Sequence, residues 1–236
     1  MSQDYLLSLN GVYKKFNKEE VLKGISFTIK KGEIVGYIGN NGAGKTTTVN
    51  LILQFLKPDR GEINYGFNDR DLFSNLSHLP EENLFPDFLS GKDFLSYFYY
   101  FKTRNPLPGH LIDFFDSFFE IKGYLPKKIK SYSKGMKRKI GIVNAILPFS
   151  NLIILDEPFE GLDPSSQIAL LKLIKEVNEK YGSSFFISSH ILSNLEELCH
   201  RIIFLKKGKI ELNEKMEDLE KRGLKLKNLF EGLNNG

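Results

Sequence analysis

Tryptophan is missing from the 236 residues, methionine occurs three times and cysteine once. The lone Cys199 excludes an internal disulfide, which fits a reducing cytosol. No basic segment leads into an apolar stretch at Met1–Tyr5, so no secretory signal is expected. Long hydrophobic runs are also lacking. The longest charge-free stretch, Ile140–Leu155, contains Asn144, Pro148, Ser150 and Asn151 and falls short of the ~20 apolar residues that a membrane span needs. A strong excess of one charge sign is absent too. With 33 Lys and Arg against 29 Asp and Glu, the formal charge of +4 gives no argument for a nucleic-acid partner, and none is expected.

What is present is the composition of a soluble globular chain, 41% apolar and 26% charged, long enough for one large domain or one core with an inserted lobe. The 20 Phe and 10 Tyr are unevenly spread, and 13 of them lie between Phe85 and Tyr124. That concentration marks a separate packing unit.

Apolar periodicity predicts strands at Tyr5–Phe16, Val21–Lys31, Ile34–Ile38, Glu62–Tyr65, Leu76–Leu79, Leu152–Leu155 and Ser184–Ser188, with a hairpin of Arg201–Leu205 and Lys209–Leu212. Helices are predicted at 45–56, Ser90–Lys102, Gly109–Phe119, Ser133–Leu147 and Ser165–Tyr181 and near Leu192–Cys199, with a charged helix in the tail from Asn213. Strands alternating with helices argue for a largely parallel sheet. The aromatic helical lobe is expected as an insertion at about 85–148, between core segments 1–84 and 149–236.

The chain is organised around Gly39–Asn40–Asn41–Gly42–Ala43–Gly44–Lys45–Thr46–Thr47, which joins an apolar strand to a helix. In that context G-x-x-x-x-G-K-[ST] is a phosphate cradle. Glycines let successive backbone N–H groups converge on an anion, and the helix N-terminus adds its dipole. Lys45 is then expected to reach the β- and γ-phosphates of a nucleotide and the Thr46 hydroxyl to ligate Mg²⁺. A second constellation is Leu152–Ile153–Ile154–Leu155–Asp156–Glu157, four apolar residues ending in two carboxylates. Asp156 is assigned to the metal. Glu157 is assigned to orienting and deprotonating a water for in-line attack on the γ-phosphate.

With these motifs the chain resembles the ATP-binding subunit of an ATP-binding cassette (ABC) transporter over nearly its whole length. Gly39–Thr46 stands as Walker A, Ser131–Met136 as the signature, Leu152–Glu157 as Walker B, Glu160–Pro164 as the D-loop and Ser188–His190 as the H-loop. The resemblance implies a P-loop (RecA-like) α/β fold with an N-terminal antiparallel β subdomain and an inserted α-helical subdomain. It implies a head-to-tail dimer, of identical or paired cassettes, enclosing two ATP molecules. Ser133 and Gly135 of one subunit would close on the γ-phosphate held by the other's Walker A. His190 would contact that phosphate, Phe16 would stack on adenine, and Asp163 would belong to the nucleotide-binding set. An integral membrane permease would be driven from the cytoplasmic face, its short helix received by the aromatic lobe and the Leu79–Pro86 loop.

Three positions depart from the family pattern. Met136 replaces a glutamine and Lys134 a glycine in the signature. Glu81 stands where the Q-loop glutamine is expected; a carboxylate offers only acceptors but remains a good Mg²⁺ ligand. The run Lys134, Lys137, Arg138, Lys139 reads as a solvated basic face, or as added positive potential for the partner's phosphates. The signature and the short C-terminal end lean towards exporters. The other classes held open are a soluble ABC-type ATPase of an assembly pathway and an ATP-dependent regulatory clamp that hardly hydrolyses.

Overall fold

The computed structural model describes residues 5–67, 72–82 and 84–235. In chain order its elements are β1 (Tyr5–Phe16), β2 (Glu19–Lys30), β3 (Ile34–Gly39), α1 (Lys45–Ile52), β4 (Arg60–Tyr65), α2 (Leu72–Asn75), β5 (Leu76–Leu79), α3 (Gly91–Thr103), α4 (Gly109–Phe119), α5 (Lys134–Ile146), β6 (Leu152–Asp156), α6 (Pro164–Tyr181), β7 (Ser184–Ser188), α7 (Leu192–Leu198), β8 (Arg201–Lys206), β9 (Lys209–Lys215), α8 (Met216–Lys221) and α9 (Leu226–Asn235). The chain divides into two compact units, one of residues 1–69 and 184–236, the other of residues 70–183.

The first unit contains two sheets. β2, β1 and β4 form an antiparallel sheet in that order. β7, β3 and β8 are parallel neighbours, and β9 closes the edge antiparallel to β8. Being paired on both sides, β3 is buried at all six residues, and so its sequence is continuously apolar instead of alternating. β9, at the end of the strand order, alternates exposed and half-buried residues. Phe27, Tyr37 and Phe186 pack as a ring cluster, with Phe27 and Phe186 stacked at 5.8 Å and Tyr37 at 4.9 Å from Phe186. Two expectations need adjustment here. The helix after the phosphate loop ends at Ile52, because Gln54 takes a left-handed φ of 59°. The tail is two short helices, broken at Gly223 with φ 66°.

The second unit pairs β5 and β6 in parallel, from Leu76 opposite Leu152 to Leu79 opposite Leu155. Its helices begin and end where side chains say they should. Ser90 caps α3, Ser133 caps α5 and Asp163 caps α6, while Pro164 occupies the first turn of α6 and a left-handed Gly182 ends it. The aromatic stretch splits by periodicity. Phe94, Phe115 and Phe119 are buried, whereas Tyr97, Phe98, Tyr100 and Phe101 are exposed. Phe149 stacks on Tyr181 at 3.8 Å, tying the end of α6 to this cluster. Among the described residues, no helix is long and apolar enough to cross a membrane.

Candidate functional site

The phosphate loop lies within the first unit. Gly44 starts α1 with φ 111°, a conformation that L side chains avoid, and a Cβ there would stand 2.7 Å from Leu22 Cδ2. Within the loop, the Ala43 amide donates to the Asn40 carbonyl at 3.0 Å. Lys45 Nζ crosses back to donate to the Gly39 carbonyl at 2.7 Å. Thr46 is exposed in the first turn of α1, and Asn40, Asn41 and Gly42 are exposed before it, while Thr47 is half-buried. Thr48 instead is wholly buried: its hydroxyl donates to the Gly44 carbonyl at 2.9 Å and sits 3.0 Å from the Tyr37 hydroxyl. The β8–β9 turn supports the loop from behind, since the Gly208 amide donates to the Ala43 carbonyl at 3.1 Å and the Gly208 carbonyl accepts from the Lys23 amide at 2.8 Å.

His190 follows β7, whose Ser188 is in register with Tyr37 of β3. This brings His190, which is exposed, to the sheet edge from which the phosphate loop springs. Phe16 ends β1 and is 43% exposed, with Lys14 Nζ 5.7 Å from its ring centre. Tyr13, the other aromatic of that strand end, is engaged by Arg60, whose guanidinium lies 4.0 Å from its ring centre.

The remaining candidates belong to the second unit. Asp156 ends β6 and is buried, and Glu157 follows it, buried and with a left-handed φ of 46°. Glu81 is exposed in the loop after β5; Asn83 of that loop lies outside the described residues. Ser133 Oγ accepts from the Met136 amide at 3.2 Å, which is a helix cap. Lys134 lies over Gly161, its Nζ 3.7 Å from the Glu160 carboxylate, so the signature and D-loop stretches touch. Gly135 also approaches this turn, 3.6 Å separating its would-be Cβ from the Gly161 carbonyl. Asp163 turns inward on its own helix, accepting from the hydroxyls of Ser165 and Ser166 and from the Ser166 amide at 2.9 Å; these bonds hold its carboxyl below the usual carboxylate range.

The structure corrects the reading of the basic run. Lys137 pairs with Asp87 at 3.0 Å, and Arg138 is only 5% exposed. The reason is helical phase: residue 138 precedes Ile142 by four and Ala145 by seven, and all three lie on the buried face of α5. That spacing was available in the sequence, but the charge obscured it. Arg138 forms the floor of a 580 Å³ cleft whose walls include Glu81, Glu82, Leu84, Lys137 and Glu160. His78 was also missed. It lies on β5, its Nε2 buried and without a hydrogen-bond partner among the described residues.

A family model described as ABC transporter matches residues 22–160, more than half of the chain. The chain belongs to the ATP-binding subunits of ABC transporters. It binds ATP and hydrolyses it to ADP and phosphate. Among its relatives, the uncharacterized ABC transporter ATP-binding protein YcbN of Bacillus subtilis (strain 168) is 32% identical over 91% of this chain and 71% of its own length. The bacitracin transport ATP-binding protein BcrA of Bacillus licheniformis is 29% identical over 93% of this chain and 73% of its own. A solved ATP-binding subunit of an ABC transporter superposes with a TM-score of 0.87 at 28% identity, covering 97% of this chain and 99% of that one. A dimeric ATP-binding cassette in a post-hydrolysis state, bound to ADP and Pi, superposes with a TM-score of 0.78 at 25% identity, covering 89% and 98%.

Proposed function

We propose that this ABC ATPase works as one half of a cassette pair and drives a separate integral membrane permease from the cytoplasmic face, in the direction of export. The observation that carries the nucleotide reading is the loop itself, with its left-handed glycines at 42 and 44 and Lys45 at the first turn of a helix. Phosphates would be held by the loop amides of residues 39–47 and by Lys45. Phe16, exposed at a strand end, would stack on the base. Glu157 would take the proton of the attacking water, and His190 would hold the γ-phosphate. Ser133 and Gly135, at the start of α5, would present a second anion site to the nucleotide of the partner cassette, with Asp163 nearby in the D-loop stretch.

Thr46, Asp156 and Glu81 offer hard oxygen donors of the kind Mg²⁺ selects. When bound, Mg²⁺ would neutralise phosphate charge.

The dimeric ATP-binding cassette supports pairing, and the bacitracin transport relative supports export through a permease. The exposed aromatic face of α3 and the cleft beside Glu81, Glu82 and Leu84 supply a surface for a short permease helix. The expected subdivision, a helical subdomain at about 85–148 within a single ATP-binding domain, belongs to the same proposal.

The test is steady-state ATP hydrolysis by the purified chain over a concentration series, with Glu157→Gln beside it. Activity should rise more than linearly with protein and vanish in the variant, while ATP binding persists. A variant that hydrolyses at the parental rate overturns Glu157 as base. ATP binding without turnover at any concentration would move the reading towards a missing partner or a regulatory clamp.

A further inference from the structure

Arg138 performs a task that its place in a basic run does not suggest. A guanidinium carries five N–H donors in a rigid plane. Here that plane meets five backbone carbonyls drawn from two segments far apart in sequence. Nη1 donates to Pro80 at 2.9 Å and to Glu81 at 3.1 Å. Nη2 donates to Asp156 at 2.7 Å and to Glu157 at 2.6 Å, and Nε reaches Pro158 at 3.4 Å. The second set encloses Glu157, whose left-handed φ of 46° is uncommon for a residue with a side chain. With the carbonyls of residues 156, 157 and 158 all turned to one cation, the peptide planes on both sides of Glu157 are fixed, and with them the origin of its side chain.

We propose that Arg138 is a positioning residue for hydrolysis: by holding the carbonyls of residues 80–81 and 156–158 on one guanidinium, it sets the conformation of Glu157 and couples it to the loop that carries Glu81. The role in turnover rests on the reading of Glu157 as base; the coupling of the two segments does not. Burial opposes the charge on Arg138, while Glu160, Asp156, Glu157 and Glu81 favour it. An acidic residue at 81 is therefore compatible with a buried arginine at 138. Lysine could not substitute, since its three donors on a flexible stem cannot span five carbonyls in a plane.

The experiment uses Arg138→Lys and Arg138→Ala in the full chain, with Glu157→Gln as reference. ATP affinity, kcat, melting temperature and amide hydrogen exchange are measured together. Arg138→Lys should bind ATP within about twofold of the parent and lose roughly tenfold to a hundredfold in kcat. Exchange should rise together at the amides of residues 81 and 82 and of residues 156, 157, 159 and 160, and stay unchanged at the phosphate loop. The cleft that leads to Arg138 gives a further readout: millimolar guanidinium chloride should raise the kcat of Arg138→Ala and leave the parent unaffected. An unchanged kcat in Arg138→Lys overturns the proposal. So does a parallel fall of kcat, ATP affinity and melting temperature, which would make Arg138 a general brace. If the purified parent binds ATP without turnover, a missing partner or a regulatory clamp is indicated, and exchange still decides the coupling: a rise in one segment alone sinks it.

Discussion

In the first unit the phosphate loop is nine consecutive residues that bond one another locally, Ala43 to Asn40 and Lys45 to Gly39, and are backed by the Gly208 turn. In the second unit the acidic end is assembled from residues 80–81, 138 and 156–158, through hydrogen bonds that span up to 58 positions of the chain. Each unit also contains an arginine drawn in from solvent, buried in the case of Arg138 and half-buried in the case of Arg201, and the two are used differently. Arg201 of β8 meets the Glu33 carboxylate at 2.6 and 3.0 Å and also donates to Asn213 and to the Thr28 carbonyl, so its charge is matched by a full opposite charge. Arg138 meets carbonyl dipoles. The difference is between a site written into local backbone geometry and one that exists only once distant segments have packed. Damage to the first should cost binding alone, and damage to the second should cost turnover.

The largest expected effect is at the local site. Lys45→Ala removes the cation expected at the phosphates and should weaken ATP by about 3 kcal/mol, roughly a hundredfold in Kd. The melting temperature should hardly move, because the bond to Gly39 is one half-exposed contact. Equilibrium ATP titration and thermal melting decide it; a lowered melting temperature with ATP affinity intact would make Lys45 a structural strut.

Next comes the ion pair of the same unit. Burial by itself would raise the Glu33 carboxyl, but the Arg201 guanidinium and the Lys30 amide more than offset it and hold it below the usual range. Glu33→Gln leaves the half-buried Arg201 without its counter-charge and should cost about 2 kcal/mol, or roughly 4–8 °C of melting temperature. Turnover well below the melting transition should stay at the parental level. A loss of kcat there would blur the contrast between the two arginines.

A smaller effect lies in the second unit. Burial lowers His78 from 6.5 to about 4, against the opposing pull of Asp156. The folded chain thus keeps His78 neutral where the unfolded chain is protonated. Stability should fall as pH drops through 6.5 towards 4 and be unaffected above 7. His78→Leu should flatten that slope in denaturant titrations at pH 4.5 and 7.5. An undiminished slope would assign acid sensitivity to other groups.

Much of this was legible from the chain. The strands Tyr5–Phe16 and Ser184–Ser188 and the helix Gly109–Phe119 fall where periodicity puts them, and Ser133 caps the helix it was expected to cap. These are local matters of spacing and capping. The end of α1 was not, because nothing in Leu53–Gln54 announces a left-handed residue. The break at Gly223 carried a signal, a glycine in a charged run, but a tail of alternating charges reads equally well as one helix. Arg138 was misread because side-chain charge was weighed above helical phase. Its carbonyl partners could not be found without the fold, since backbone acceptors have no sequence signature.

The smallest effect tests whether the exposed acid at 81 takes part in chemistry at all. Glu81→Gln keeps the main-chain carbonyl that Arg138 holds and removes only a charge. The clasp should therefore survive, and ATP turnover with it. If Glu81 is a ligand of Mg²⁺, the variant exchanges a carboxylate for an amide. The Mg²⁺ concentration at half-maximal turnover should then shift by up to about tenfold, the equivalent of roughly 1.4 kcal/mol. The direction separates two effects. A higher Mg²⁺ requirement means a ligand was lost. A lower ATP KM at saturating Mg²⁺ means that the acid had been repelling the phosphates. A superimposable Mg²⁺ titration and an unchanged KM would confine position 81 to the backbone role it plays through Arg138.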